Sequence, residues 1–424
     1  MTNLFLMPFT FTSSSPRQGT SLLKNASLFF LIICLSASAF GQEGKLNTKF
    51  DKALNFSSED GNFKIKFGGR LQEHWSMMAQ SSTLTDIYGL QKNSSQFRRA
   101  RFYNTGTLYG FVDFKLEIDF SDGHGDITDG YITIKDLPIV GNFRVGHFKE
   151  PFSLDMMNSS NDMTFLERSP ITDIKKQRNK GAMFFNTYLK NKGTWSIGLY
   201  RNTIGSHASV NEEAYNLTSR VTFLPYRNKE KNHLLHLGAA YSYRNPQGEE
   251  YRLSSRPEAA IAPKYLNVGV IPGANYSTMY GGEFALILNS FSTQTEVIVS
   301  QVNNPNALLT FGGVSVEAAY FLTGEHKNYS DKVGWFKRLS PNKDWNPKGK
   351  NDTQKGFGAL ELAARYSHVD YSDGIIFGGI MDDLTLGINW YLNPCARISF
   401  NYTRAQVQSV GFADIGQIKF QIAY

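Results

Sequence analysis

Beyond the first forty residues, nothing in this sequence is apolar for long enough to cross a membrane as a helix. That takes about 18–20 consecutive apolar residues, and no stretch approaches it. Cysteine is almost missing, two in 424 residues, with Cys34 near the start and Cys395 alone thereafter, so no disulfide braces the chain. Proline is too sparse, at 14 residues, for a disordered protein. Charged residues, 19% of the chain, fall below the globular norm of about 25%. Catalytic signatures are absent too: no G-x-S-x-G, no H-E-x-x-H, no Walker loop and no Cys/His metal spacing. These gaps argue against a helical membrane protein, a disulfide scaffold and the motif-bearing enzymes. Neither a cofactor, a metal nor a nucleic-acid partner is expected.

What is present is aromatic (14%) and rich in glycine (37 residues), with a net charge of +7. Arg17 and Lys24 precede the apolar Leu28–Leu35 and the small residues of "SASAFGQ". A basic region, a short apolar core and a small-residue exit make a secretory signal peptide over residues 1–41, cut after Gly41 or, as the alternative, after Ala39. Residues 42–60 read as a polar leader, and the expected location is the outer membrane of a Gram-negative-type bacterium.

Period-two alternation then recurs along the chain. Val112, Phe114, Leu116 and Ile118 share one face, and Asp113, Lys115, Glu117 and Asp119 the other. Leu384, Leu386, Ile388 and Trp390 oppose Thr385, Gly387, Asn389 and Tyr391. Stretches around Trp195, Val221, Leu237, Leu362 and Phe400 repeat the pattern. A soluble sandwich would alternate too. A transmembrane antiparallel β-barrel fits better, because the runs are often about ten residues long, carry Trp or Tyr near their ends, and keep charges in mid-strand. Such charges are tolerable in a wet lumen and costly in a dry core. The final stretch "GQIKFQIAY" alternates to its end, and Phe420, Ile422 and Tyr424 resemble the terminal signal read by the barrel-assembly machinery.

About 24 residues per strand and connection gives an all-β barrel of about sixteen strands over 61–424, with fourteen to eighteen allowed. The connections Asn245–Ser277 and Gly324–Gly356 are long and charged, and are expected outside; Gly106–Gly110, Leu137–Gly141 and Asn393–Ala396 are expected as periplasmic turns. Asp119, Asp122, Asp126 and Asp129 lie in a Gly-rich stretch whose oxygens suit calcium, though the spacing fits no fixed loop.

Basic residues cluster in "FRRAR" (Arg98, Arg99, Arg101), in "RVGHFK" (Arg144, Lys149) and in "ERSPITDIKKQRNKG" (Arg168, Lys175, Lys176, Arg178, Lys180). Rings of Arg or Lys at a narrow, low-dielectric point raise the local anion concentration. A loop that merely faces water or anionic lipid is the alternative. At these residues "FRRARFYNTGTLYGFVDFKLEIDFSDG", "YITIKDLPIVGNFRVGHFKEPFSLDMMNSSNDMTFLERS", "GALELAARYSHVDYSDG" and "DLTLGINWYLNPCARISFNYTRA" resemble the phosphate-selective porin O and P family. The resemblance implies a sixteen-stranded outer-membrane barrel, a homotrimer, that passes small anions with phosphate or polyphosphate preferred. It also implies a loop near 150–180 folded into the lumen, with Lys149 and the basic residues of Met156–Lys180 at the constriction. Arg144, Arg220, Arg365 and Arg397 are further pore candidates by facing alone. A porin for oligosaccharide or peptide, or a barrel enzyme or adhesin with a Ser/His/Asp site at its rim, are the competing readings.

Overall fold

The computed structural model describes residues 46–175, 177–204, 207–208, 215–245, 250–348, 356–374 and 376–424. The expected signal peptide and Lys176 lie outside them. Sixteen long strands follow one another: β1 (Lys64–Gln80), β2 (Asn93–Leu108), β3 (Val112–Asp119), β4 (Asp126–Leu137), β5 (Gly141–Lys149), β6 (Arg178–Tyr188), β7 (Gly193–Arg201) and β8 (Tyr215–Asn228). Then come β9 (His233–Arg244), β10 (Tyr276–Leu288), β11 (Phe291–Asn304), β12 (Ala307–Phe321), β13 (Ala359–Asp373), β14 (Ile376–Tyr391), β15 (Ala396–Val407) and β16 (Gly411–Ala423). Each pairs antiparallel with the next, and β16 returns to pair with β1 from Ala413↔Gln80 to Ala423↔Arg70.

The alternation sets the faces as expected. On β14, Leu384, Leu386 and Ile388 are 51%, 51% and 45% exposed on the outside, while Thr385 and Asn389 are 0% exposed within. Tyr366 and Tyr402 mark one rim of the apolar belt, their hydroxyls donating to Asp382 (2.5 Å) and Asp414 (2.7 Å). Trp390, stacked on Phe357, marks the other. Aromatic rings with one polar handle suit these lipid–water boundaries.

At the seam, Gly69 and Tyr424 exchange both backbone hydrogen bonds, at 2.7 and 3.0 Å. The edge of β1 beyond Tyr424 is taken by a short strand, Leu54–Ser58, whose Leu54 and Phe56 register with Phe67 and Ile65. The stretch read as a polar leader therefore contains strand. Phe420, Ile422 and Tyr424 all face outward.

One expectation about the connections fails. The segment between β12 and β13, which contains Gly324–Gly356, leaves the barrel at the end carrying the tight turns after β2, β4, β6, β8, β10 and β14. Its part around 328–337 turns inward instead of extending away. Its hairpin of Asn328–Ser330 and Trp335–Lys337 reaches the lumen, where Gly334 accepts from Arg220 (3.0 Å) and Phe336 N–H donates to Asn158 (3.1 Å).

Two outcomes test this wall. Leu386→Arg should cost roughly 2–4 kcal/mol in urea titrations of the lipid-embedded barrel, and Leu386→Ile almost nothing. A Cβ at Gly68 would collide with the Tyr424 carbonyl and the Tyr103 ring, so Gly68→Val should abolish the heat-modifiable gel migration of the closed barrel.

Candidate functional site: a basic chamber beside an inward loop

The connection from β5 to β6 folds into the lumen because its side chains are apolar where a surface loop would be polar. Phe152, Leu154, Met156, Phe165, Leu166, Ile171 and Ile174 are all buried. Phe152, Met156, Ile171 and Ile174 join a cluster with Ala240, Met279, Ile298 and Val369 of the far wall. Gly313 leaves the room that Ile171 fills, since a Cβ there would lie 2.7 Å from its methyl group.

Charge then pins the loop. Glu150 accepts from Lys175 (2.6 Å), Thr218 (2.6 Å), Arg244 (3.0 Å) and Asn179, joining both ends of the loop to β6, β8 and β9. Burial by itself would raise its pKa, yet Arg244 and Lys175 bring it down to about 2. Glu167 accepts a two-pronged contact from Arg98 (2.7 and 3.1 Å). Burial opposes its ionisation, but Arg98 and Arg99 hold its carboxyl well below the usual range. From the β9–β10 connection, Glu258 crosses to Arg365 on β13 (2.8 Å).

The sequence candidates separate into groups. Lys149 Nζ donates to the carbonyls of Met156 (2.8 Å), Met157 (3.3 Å) and Asn158 (2.7 Å), while Arg168 donates to those of Asp155 (2.9 Å) and Asn158 (2.8 Å). Both cations therefore secure the same turn of the loop, and both line the chamber beside it. Arg144 also lines it, its guanidinium 4.0 Å over the Tyr131 ring. Arg178 lines it paired with Asp129 (2.8 Å), and Arg220 paired with Glu283 (2.7 Å). Arg365 and Arg397 point inward but are buried, the latter donating to Met163 O (2.8 Å). Two candidates are corrected. Lys175 is sealed against Glu150 with no side-chain exposure, so its charge is spent on folding the loop. Lys180 is exposed and shares the outward face of β6 with Phe184.

The four aspartates considered for calcium do not converge. Asp119 holds Arg101 (2.6 Å), and Asp129 holds Lys115 (2.6 Å) and Arg178. Among the described residues no group of three or more His, Cys, Asp or Glu is placed to hold a metal.

The chamber measures about 450 Å³, and twelve of its lining side chains are Lys or Arg against three Asp or Glu. A second space of about 720 Å³ lies between the loop and the β9–β10 connection, bordered by Arg252, Arg256 and Lys264. Arg98, Arg99, Arg168 and Gln177 border both. The two spaces therefore meet at three arginines.

The sequence marked Arg98 and Arg99 only as members of a basic run, without their facing. Gln72 pairs with Arg99 and Glu73 with Phe97, so Arg98 is the extra residue of a β-bulge. A bulge re-aims side chains that simple alternation would place on opposite faces, and here Arg98 and Arg99 both turn to the lumen. The "FRRAR" run was the available signal. Arg70 on β1 gave none, and Lys332 and Lys337 were hidden because their segment was expected outside.

A closed antiparallel barrel, apolar outside and lined within by charge around a folded-in loop, defines an outer-membrane porin. The chain belongs to the phosphate-selective porin O and P family, which matches residues 65–416. It is 24% identical over 429 residues to Porin O of Pseudomonas aeruginosa, covering 90% of this chain and 92% of that one. An uncharacterized protein of Caulobacter vibrioides is 27% identical over 371 residues, covering 82% and 69%. Among solved structures, the in-vitro folded outer membrane protein OmpT of Vibrio cholerae superposes with a TM-score of 0.52 at 11% identity, covering 89% and 99%. An anion-selective porin from Comamonas acidovorans gives 0.51 at 10% identity, covering 85% and 100%. These likenesses show the porin fold.

The Glu150 hub carries a pH dependence. Its pKa is lower folded than unfolded, so its stabilisation is complete above the unfolded value and is lost as pH falls from about 4.5 to 2. The loss is about 3 kcal/mol. Tryptophan fluorescence across that window should report loosening of the wild-type loop, and Glu150→Gln should remove the transition while lowering stability at neutral pH.

Proposed function

We propose that this protein is a diffusion channel for small anions, with phosphate the preferred solute. The observation that carries this is the excess of cations over carboxylates in the chamber, together with the arginines Arg98, Arg99 and Arg168 that border both spaces. Many of these cations are neutralised by a partner. Among the described lining residues Arg144, Lys149, Lys332 and Lys337 have no carboxylate within 4 Å, and they supply the uncompensated field. At about 5 Å and an effective dielectric near 20, each attracts a monovalent anion by about 3 kcal/mol before desolvation. Hydroxyls of Ser159 and Ser160 line the same space and suit phosphate oxygens. A junction of arginines disfavours an oligosaccharide or peptide channel, for which acidic and aromatic side chains are expected at the narrowest point.

The same reading includes export by the 1–41 segment, recognition of Phe420, Ile422 and Tyr424 by the barrel-assembly machinery, and assembly as a homotrimer in outer-membrane lipid. Family membership and the outward apolar faces support it.

Planar-bilayer recordings test the selectivity. The wild-type channel should pass chloride over potassium in a salt gradient, and phosphate should block the chloride current. Arg144→Gln with Lys337→Gln should lower the chloride-to-potassium permeability ratio severalfold without altering heat-modifiable migration. A cation-selective wild type would overturn the proposal.

A further inference from the structure

The chamber's walls differ in chemistry. From β1 to β3 the lining is cationic, with Arg70, Arg101 and Lys115. Aromatic rings line the same cavity: Tyr131 of β4, next to Lys115 across the strands, Phe185 of β6 and Trp335 of the lumenal hairpin, each half-buried. Phe148 and Met183 are buried against Tyr131 and Phe185. The Arg144 guanidinium lies over two of these rings, 4.0 Å from the Tyr131 centroid and 5.0 Å from that of Phe185. Its Nε donates to Thr133 (2.9 Å), and no carboxylate lies within 4 Å of it among the described residues. Ring faces and a guanidinium are groups on which another planar or cyclic group can stack.

Inorganic phosphate, a tetrahedral ion with only oxygens on its surface, has nothing to place there. We propose that the chamber is fitted to small phosphate monoesters that carry a planar or cyclic group, the phosphate on the cationic wall and the ring against Tyr131, Phe185 and Trp335. The volume, about 450 Å³, is that of a small-molecule site rather than of a single inorganic ion. This inference rests on the anion-channel reading and deepens it by naming the solute class.

The test compares three blockers of chloride current in planar bilayers: inorganic phosphate, glycerol 3-phosphate, which lacks a ring, and phenyl phosphate. Phenyl phosphate should half-block at a concentration roughly tenfold below the other two, the gain expected from one stacked ring. Phe185→Leu and Trp335→Leu, made separately, keep an apolar side chain and remove the ring. Each should cut that advantage at least about threefold while leaving block by inorganic phosphate unchanged. Equal block by phenyl phosphate and glycerol 3-phosphate in the wild type overturns the inference, as does an advantage that survives both substitutions. A channel that none of the three blocks fails the anion-channel reading itself, whereas phosphate block without ring preference fails only this one.

Discussion

A backbone in hydrocarbon has no water to bond, so every N–H and C=O in the membrane must find a partner in the protein. That requirement fixes most of this molecule. Sixteen strands can meet it only by closing, and the closure falls on a seam where Gly69 and Tyr424 exchange their backbone bonds. Glycine at 68 and 69 lets the last residue approach that closely. Beyond the end of β16 the edge of β1 would stand open, and the Leu54–Ser58 strand covers it.

Closure also determines what can happen inside. With the outward half of each strand committed to lipid, the inward half is free to be polar, and here it is strongly charged. Isolated charges behind a folded-in loop are expensive, several kcal/mol each after relaxation. The structure meets that cost by pairing: Glu150 with Lys175 and Arg244, Glu167 with Arg98, Glu258 with Arg365, Glu283 with Arg220. Glu150 and Lys175 tie the two ends of the loop together, and the other pairs join an inserted segment to the wall or one strand to another. The pairs position the lining, and the cations left over supply the field. Arg144 is held by aromatic rings where a carboxylate would cancel its charge.

How much of this was legible in the sequence follows from what each feature depends on. Strand faces depend on the local period, and Leu386 outside with Thr385 inside could be read directly. So could a strand near the end pairing to close a ring. Contacts across the lumen depend on residues a hundred or more positions apart, as Arg365 with Glu258 or Arg220 with Gly334, and no linear pattern encodes them. Density of charge was therefore a poor guide to the lining. Lys175 and Lys180 lie in the densest basic run, yet one is buried against Glu150 and the other faces outward. The single extra residue at Arg98 shifted the facing of "FRRAR", a change invisible without the register of β1. The Gly324–Gly356 connection was misplaced because length and charge suggested an external loop. Its apolar members Val333, Trp335 and Phe336, which pack in the lumen, were the overlooked sign.

A channel must bind its solute well enough to admit it and weakly enough to release it. A lumen lined by unpaired cations alone would hold a multivalent anion too tightly. Here carboxylates sit among the cations: Glu117 contacts Arg70, Arg101 and Lys115, and Asp129 contacts Lys115 and Arg178. An entering phosphate competes with these carboxylates for the same N–H donors, so each contact it gains is offset by one the protein gives up. In the proposed anion channel, the net depth of every stop would thereby be reduced without removing the lining's net positive charge. Arginine suits such an exchange, since its fork of five donors can serve a carboxylate and a passing oxyanion at once. In that reading the acids in the lining would be as much a part of passage as the bases, keeping the chamber attractive to an anion without holding it.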